Sequence, residues 1–170
     1  MSKERGFTLI ELLVTISVAA ILLGVGVPSL QELVKTNRRA ATANALVSSI
    51  QHARSTSAAR GVRVVVCHSI DGSACSGAAD PDWSSGWLSF ADDDKDSIRD
   101  ANETLLTVEA ARRGVTMPST RGMFVFSPSF GIWTAAGTVA VCVNGENNDR
   151  WITVSLTGRP AIAESGDVDC

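Results

Sequence analysis

The chain has little of what side-chain catalysis needs. Of its 170 residues only two are histidines, His52 and His68. His52 falls in a helical stretch, on its surface, and His68 adjoins Cys67, a cysteine expected in a disulfide. There is no Ser-His-Asp arrangement, nucleophile elbow or phosphate-cradling loop, so an enzyme is not expected. No C-x-x-C spacing occurs either, and His68 beside Cys67 makes a poor ligand set, which argues against zinc. Positive charge is scarce where a nucleic-acid binder would need it. Residues 64–170 carry seven Lys/Arg against fifteen acids, a net −8, whereas residues 1–63 carry eight against three, a net +5. Lys and Arg neutralising phosphates supply most non-specific nucleic-acid affinity, so the acidic part argues against broad binding of that kind. No second domain, internal repeat or low-complexity linker is visible, and the length leaves room for one globular domain beside an anchor.

One more absence is the most informative. From Leu12 to Gln31 twenty residues pass without a charge. As a helix, such a run spans the hydrocarbon core of a bilayer, about 30 Å. Glu11 stands at its start, where a carboxylate costs about 2.5–3.5 kcal/mol by insertion scales unless it finds a partner. A cleaved secretory signal would place small residues at a cleavage site after the run, but Leu22-Leu23-Gly24-Val25-Gly26-Val27-Pro28 leads on into Gln31-Glu32-Leu33 without an A-x-A pattern. A plain anchor explains the length, and Lys3 and Arg5 would keep the leader cytoplasmic. It leaves Glu11 and the Gly6-Phe7 junction unexplained.

The ordered string Gly6-Phe7-Thr8-Leu9-Ile10-Glu11-Leu12-Leu13-Val14 resembles the class III signal and N-terminal helix of type IV pilins and type II secretion pseudopilins. The resemblance implies a leader, residues 1–6, cut after Gly6 by the prepilin peptidase, with methylation of the new amino terminus at Phe7. Residues 7–30 would then be both transmembrane anchor and filament core. Glu11, with Thr8, would serve subunit assembly, the carboxylate pairing with the Phe7 amine of a neighbouring subunit. Desolvated opposite charges attract strongly, while either one left alone is costly, so the pair sets register. The partners implied are other pilins or pseudopilins, the prepilin peptidase and the inner-membrane assembly platform. The location implied is the bacterial inner membrane, single-pass with a periplasmic head, and then the filament.

The helical pattern continues past the apolar run. Pro28 should kink or locally break it, and Gly24 and Gly26 weaken the same turn by about 1 kcal/mol each relative to Ala. Over residues 31–60, Leu33, Ala40, Ala43, Val47, Ile50 and Ala53, with Leu46 beside them, recur at three- and four-residue steps. That spacing predicts an amphipathic helix lying on a sheet. Arg60-Gly61 reads as its end. Residues 61–170 then change period into short β-rich runs: Val62–Cys67, Trp87–Phe90, Leu105–Val108, Met123–Phe126, Thr138–Val143 and Trp151–Leu156. Turn clusters separate them (Asp71-Gly72, Pro81-Asp82, Pro118-Ser119, Ser127-Pro128, Asn144-Gly145), and Gly122-Met123 and Gly131-Ile132 also read as turns. Close spacing favours antiparallel pairing. The fold class expected is α+β, type IV pilin-like: a long N-terminal helix packed on an antiparallel β-rich head.

Cys67, Cys75, Cys142 and Cys170 all lie in that head. An even count in a small extracytoplasmic domain suggests two disulfides. Of the three pairings, proximity favours Cys67–Cys75 with Cys142–Cys170.

The head has a narrower resemblance. Gln51-His52-Ala53-Arg54-Ser55 with Arg60-Gly61, Val66-Cys67…Asp71-Gly72…Cys75, Gly86-Trp87-Leu88…Phe90 and Leu156-Thr157-Gly158-Arg159 together resemble the GspH/FimT minor-pilin family. That resemblance implies a low-abundance subunit that primes or caps a type IV pilus or a type II secretion pseudopilus. One branch of the family is implicated in DNA uptake through a C-terminal Gly-Arg-x-Arg motif. Here Gly158-Arg159-Pro160-Ala161 lacks the second arginine and the tail beyond is acidic. Arg150 and Arg159 remain as candidate phosphate contacts, with Trp151 as a stacking face. The ordinary reading, two solvated strand-end arginines and a core tryptophan, is preferred.

The run Asp92-Asp93-Asp94-Lys95-Asp96-Ser97 with Asp100 and Glu103 offers a second constellation. Asp92, Asp94, Asp96, Asp100 and Glu103 occupy positions 1, 3, 5, 9 and 12 of an EF-hand-type calcium loop. Ser97 stands where glycine makes the sharp turn, Arg99 where an apolar residue is usual, and strands rather than helices flank the loop. A solvated hairpin loop, where charged runs normally belong, is preferred to Ca2+, and no cofactor is expected to be required.

Overall fold

The computed structural model describes residues 8–77, 81–129, 131–132, 136–143 and 150–170. Gly6, Phe7 and the Asn144-Gly145 turn lie outside them. The chain forms two compact units, one ending at Asn37 and one running from Arg38 to Cys170. The element order is one helix, α1 (Leu9–Arg60), then β1 (Arg63–His68), β2 (Gly86–Asp92), β3 (Leu105–Ala110), β4 (Val115–Thr116), β5 (Met123–Ser127), β6 (Gly131–Ile132), β7 (Gly137–Val143), β8 (Arg150–Val154) and β9 (Pro160–Ala163).

In the first unit α1 is predominantly apolar, and none of the described residues buries its large side chains. Its large apolar side chains from Leu9 to Val34 are all exposed, Leu9 by 81 % and Leu22 by 67 %. Two hydroxyls in its apolar run are satisfied internally, as a lipid-facing helix requires. Thr15 Oγ1 donates to the Leu12 carbonyl at 2.8 Å and Ser17 Oγ to the Leu13 carbonyl at 2.7 Å. Of the kink or local break expected at Pro28, the break does not occur: the helix is continuous across it. Proline removes one amide donor and crowds the carbonyl four residues back. That residue is Gly24.

In the second unit the helix buries Arg39, Thr42, Ala43, Leu46, Ser49, Ile50, Ala53, Thr56 and Ser57. The three- and four-residue spacing is as expected, but the stripe differs. Leu33 is exposed, Ala40 and Val47 are half-buried, and five polar residues take buried places. Three hydroxyls are accommodated because each has a specific partner. Thr42 Oγ1 donates to the Arg38 carbonyl, Ser57 Oγ donates to the Val62 carbonyl, and Ser49 Oγ accepts from Trp87 Nε1 at 3.0 Å. Gly61 ends the helix in the left-handed region, φ 68°, its amide donating to the Ser57 carbonyl, a conformation that glycine adopts without a Cβ clash.

All strand pairs are antiparallel. One sheet runs β3-β2-β1-β5-β6 and the other β4-β7-β8-β9. Six strands fall where expected. β4, β6 and β9 are additions, and Gly131-Ile132, read as a turn, is a short edge strand paired to β5. Two-residue strands leave no periodic trace in a sequence. The main core joins Leu46 and Ile50 of α1, Val64 and Val66 of β1, Trp83, Trp87, Phe124 and Phe126, and Val139, Val141, Val143, Ile152 and Val154 of the second sheet. A smaller cluster of Val65, Cys67, Leu88, Phe90 and Val125, with Cys75 and Met123 against it, packs separately. Alternate residues of β1 thus enter the two clusters, which is why Val64-Val65-Val66-Cys67 is an unbroken buried run.

Both disulfides expected from proximity are present: Cys67–Cys75, with Cα atoms 5.6 Å apart, and Cys142–Cys170, at 5.7 Å.

Candidate functional site

The expected assembly residues sit at the start of α1. Thr8 precedes the helix, and its Oγ1 accepts the Glu11 amide at 3.3 Å. Threonine before a helix with glutamate three residues on is the capping-box pattern, so Thr8 and Glu11 shape the helix start, a role the sequence pattern could have revealed. Among the described residues the Glu11 carboxylate has no ion-pair partner. The apolar side chains around it, Leu9, Ile10, Leu12 and Leu13, are more than half exposed. A carboxylate set into an uncovered apolar surface offers charge-paired docking to a cationic group within another apolar surface.

The acidic loop joins β2 to β3. Asp92, the last residue of β2, is fully buried. Its Oδ2 lies 3.1 Å from Nε of Arg63, the first residue of β1, and β1–β2 pairing sets Arg63 opposite Asp92. The other arginine nitrogens hold the loop: Nη1 donates to the Lys95 carbonyl at 2.9 Å and Nη2 to Ser97 Oγ. Sequence reasoning passed over Arg63, whose role depends on strand register. Burial pushes the Asp92 carboxyl above the ordinary carboxylate range. The Arg63 charge opposes that shift, as do the Lys95 and Ser97 amides, which face the carboxylate without aligned hydrogen bonds. Lys95 and Ser97 take left-handed φ values of 68° and 65°. Ser97 therefore makes the turn expected of glycine.

Three of the five expected metal ligands come together. One carboxylate oxygen each from Asp92, Asp94 and Asp96 lie within 4.8 Å of one another. Asp100 and Glu103 are not part of that group. The half-turn back from β3 brings Glu103 onto the loop backbone, where Oε1 accepts the Asp93 amide at 3.0 Å and Oε2 the Asp100 amide at 2.9 Å. Glu103 closes the loop. Arg99 Nη1 donates to the Ser73 carbonyl and ties it to the Cys67–Cys75 loop. There Asp71 accepts from Ser73 Oγ and from the Ser73 and Ala74 amides, which lowers its carboxyl to about 2.

Arg150 and Arg159 are held apart. Arg150 starts β8 and Arg159 follows its far end, next to Pro160, which pairs with Val154. Four residues of strand separate them by about 13 Å. Arg159 lies in the β8–β9 hairpin, where Ser155 bonds Gly158 and Arg159 and Gly158 adopts φ 72°. Leu156-Thr157-Gly158-Arg159 is thus turn chemistry. Trp151 donates Nε1 to the Val168 carbonyl, and the C-terminal tail packs on its ring so closely that a Cβ at Gly166 would fall 2.3 Å from it.

Residues 42–158 match the family model of the type II transport protein GspH. The chain belongs to the GspH family. Residues 1–27 match the prokaryotic N-terminal methylation motif. The GspH-family chain is similar in structure to the type IV minor pilin FimU of Pseudomonas aeruginosa strain PAO1. One crystal form gives a TM-score of 0.58 at 17% identity, over 77% of this chain and 92% of that one. The other gives 0.55 at 17% identity, over 72% and 90%. Likeness at this identity speaks for the fold. No curated protein matches the chain by sequence. This GspH-family protein is a structural minor pilin or pseudopilin, a membrane-anchored subunit that assembles with other pilins.

Proposed function

We propose that this chain primes or caps a type IV pilus or type II secretion pseudopilus, with Glu11 as its docking group. The observation that carries this reading is an uncovered apolar helix with a carboxylate among exposed leucines and isoleucines. Water does not favour such a surface; lipid or neighbouring helices do. The prepilin peptidase would cut after Gly6 at the inner membrane and methylate Phe7, leaving a charged amine at the end of an apolar helix. Glu11 of one subunit would then accept the Phe7 amine of its neighbour, fixing register as the helices pack. The head remains in the periplasm, tied by its disulfides, until assembly draws it into the filament tip.

The test replaces the chain in its host by Glu11→Ala and Glu11→Gln variants. Mass spectrometry would follow the mature N-methylated terminus, and immunoblotting would follow the sheared filament fraction. Normal maturation with loss from filaments is expected for both. Normal incorporation of either variant would remove charge pairing as the docking device.

A further inference from the structure

Filament assembly through α1 leaves one feature of the head without a role: a buried carboxylate with an open oxygen. Asp92 is fully buried, and only its Oδ2 approaches a cation, Arg63 Nε at 3.1 Å. Among the described residues Oδ1 has no ion-pair partner and no aligned hydrogen bond, the Lys95 and Ser97 amides facing the carboxylate without closing one. Burying such an atom unpaired is costly, so a fold that retains it has another ligand for it or bears the cost. The neighbouring Asp94 and Asp96 point to the former. Both are exposed, and each brings a carboxylate oxygen within 4.8 Å of that of Asp92. The left-handed Lys95, between Asp94 and Asp96, and Ser97, just after them, curl the backbone so that the alternate side chains converge.

We propose that Asp92, Asp94 and Asp96 hold a calcium ion at the end of β2, completing the coordination of the buried Asp92 carboxylate. The donors are all carboxylate oxygens, with no histidine or cysteine among them, which suits a hard cation rather than zinc or copper. Calcium fits better than magnesium. It accepts irregular oxygen sets in flexible loops and sheds water readily, whereas magnesium demands near-octahedral geometry. Glu103 and Arg63 are positioning residues: one holds the Asp93 and Asp100 amides, the other the Lys95 carbonyl and Ser97 Oγ. Because Arg99 reaches the Ser73 carbonyl, an ion here would also steady the contact with the Cys67–Cys75 loop.

The full-length, disulfide-intact chain in detergent is titrated with CaCl2 by calorimetry and melted in chelator, in about 5 mM CaCl2 and in about 5 mM MgCl2, above the roughly 0.1–1 mM dissociation constants of extracellular calcium modules. The comparison is an Asp94→Asn, Asp96→Asn double variant; both positions are exposed, and an asparagine Oδ1 can still accept the Asp96 and Ile98 amides that these carboxylates accept. One calcium per chain, a melting rise of about 5 °C with a smaller rise in magnesium, and at least tenfold weaker binding by the double variant are expected. No binding heat and no calcium-dependent melting would overturn the proposal. So would equal response to magnesium, or affinity unchanged in the double variant.

Discussion

The two halves of α1 invert the usual relation between polarity and burial. The half in the first unit, Leu9 to Asn37, is the more apolar and is wholly exposed at its large side chains. The half in the second unit, Arg38 to Arg60, buries an arginine, two threonines and two serines beside its alanines, Leu46 and Ile50. The first half is built for a surrounding that is not water: Thr15 and Ser17 bond its own carbonyls, and Glu11, the acid in its apolar run, has no ion-pair partner among the described residues. The second half is built to lie against the head, and Ser49 and Ser57 are buried against matching groups there. Hydrophobicity marks what an element avoids; a buried hydroxyl marks which partner it meets.

The largest effect that would break this contrast lies at the start of the first half. Gly6→Val should abolish conversion to the mature form, and Glu11→Ala should leave conversion intact while removing the chain from filaments. An immunoblot of membrane and sheared fractions separates the two; the same defect in both would merge roles that are held distinct here. Next come the cores. Ile50→Ala should cost the head about 2–5 kcal/mol, whereas Leu22→Ala, exposed by 67 %, should leave the denaturant midpoint of the head unchanged. A comparable loss from both would show that the first half contributes to the stability of the head.

Opening the Cys142–Cys170 bridge, which spans 28 residues, should cost about 3.5 kcal/mol on the chain-entropy account. The Cys67–Cys75 bridge, spanning 8, should cost about 2.5 kcal/mol. Melting of the paired Cys→Ala variants gives the order. Ser49→Ala should cost about 1–3 kcal/mol by leaving Trp87 Nε1 buried without an acceptor, and Ser49→Thr should recover part of it.

The smallest effect is one of pH. The Asp92 carboxyl is raised, because burial penalises its charged form. Protonation therefore favours the folded state. In chelator, wild type should gain stability relative to Asp92→Asn as pH falls from 7 through the raised value toward the ordinary 3.8. A melting difference that stays flat or narrows in the opposite direction would deny the raised carboxyl.

The order of a long helix and then β-strands was legible because its periods are long: a charge-free run, a three-four stripe, six alternating runs. Both cysteine pairs followed from chain proximity. What remained hidden came from pairs distant in sequence. Arg63 reads as an ordinary strand residue until register sets it opposite Asp92. Ser49 reads as a surface serine until Trp87 arrives from β2. Pro28 reads as a kink or a break, yet the helix continues through it. Glu103 fits a ligand position until its oxygens are found on two amides.

By itself, then, the sequence determined the anchor, the lone acid at Glu11, the cleavage and methylation motif and the general architecture, because each depends on local composition and period. Only the tertiary structure decided which polar groups are buried, that Arg150 and Arg159 stand apart, and that three of five aspartate and glutamate candidates converge, one of them buried. Those outcomes depend on strand register and loop closure, which bring together atoms that the chain alone leaves far apart.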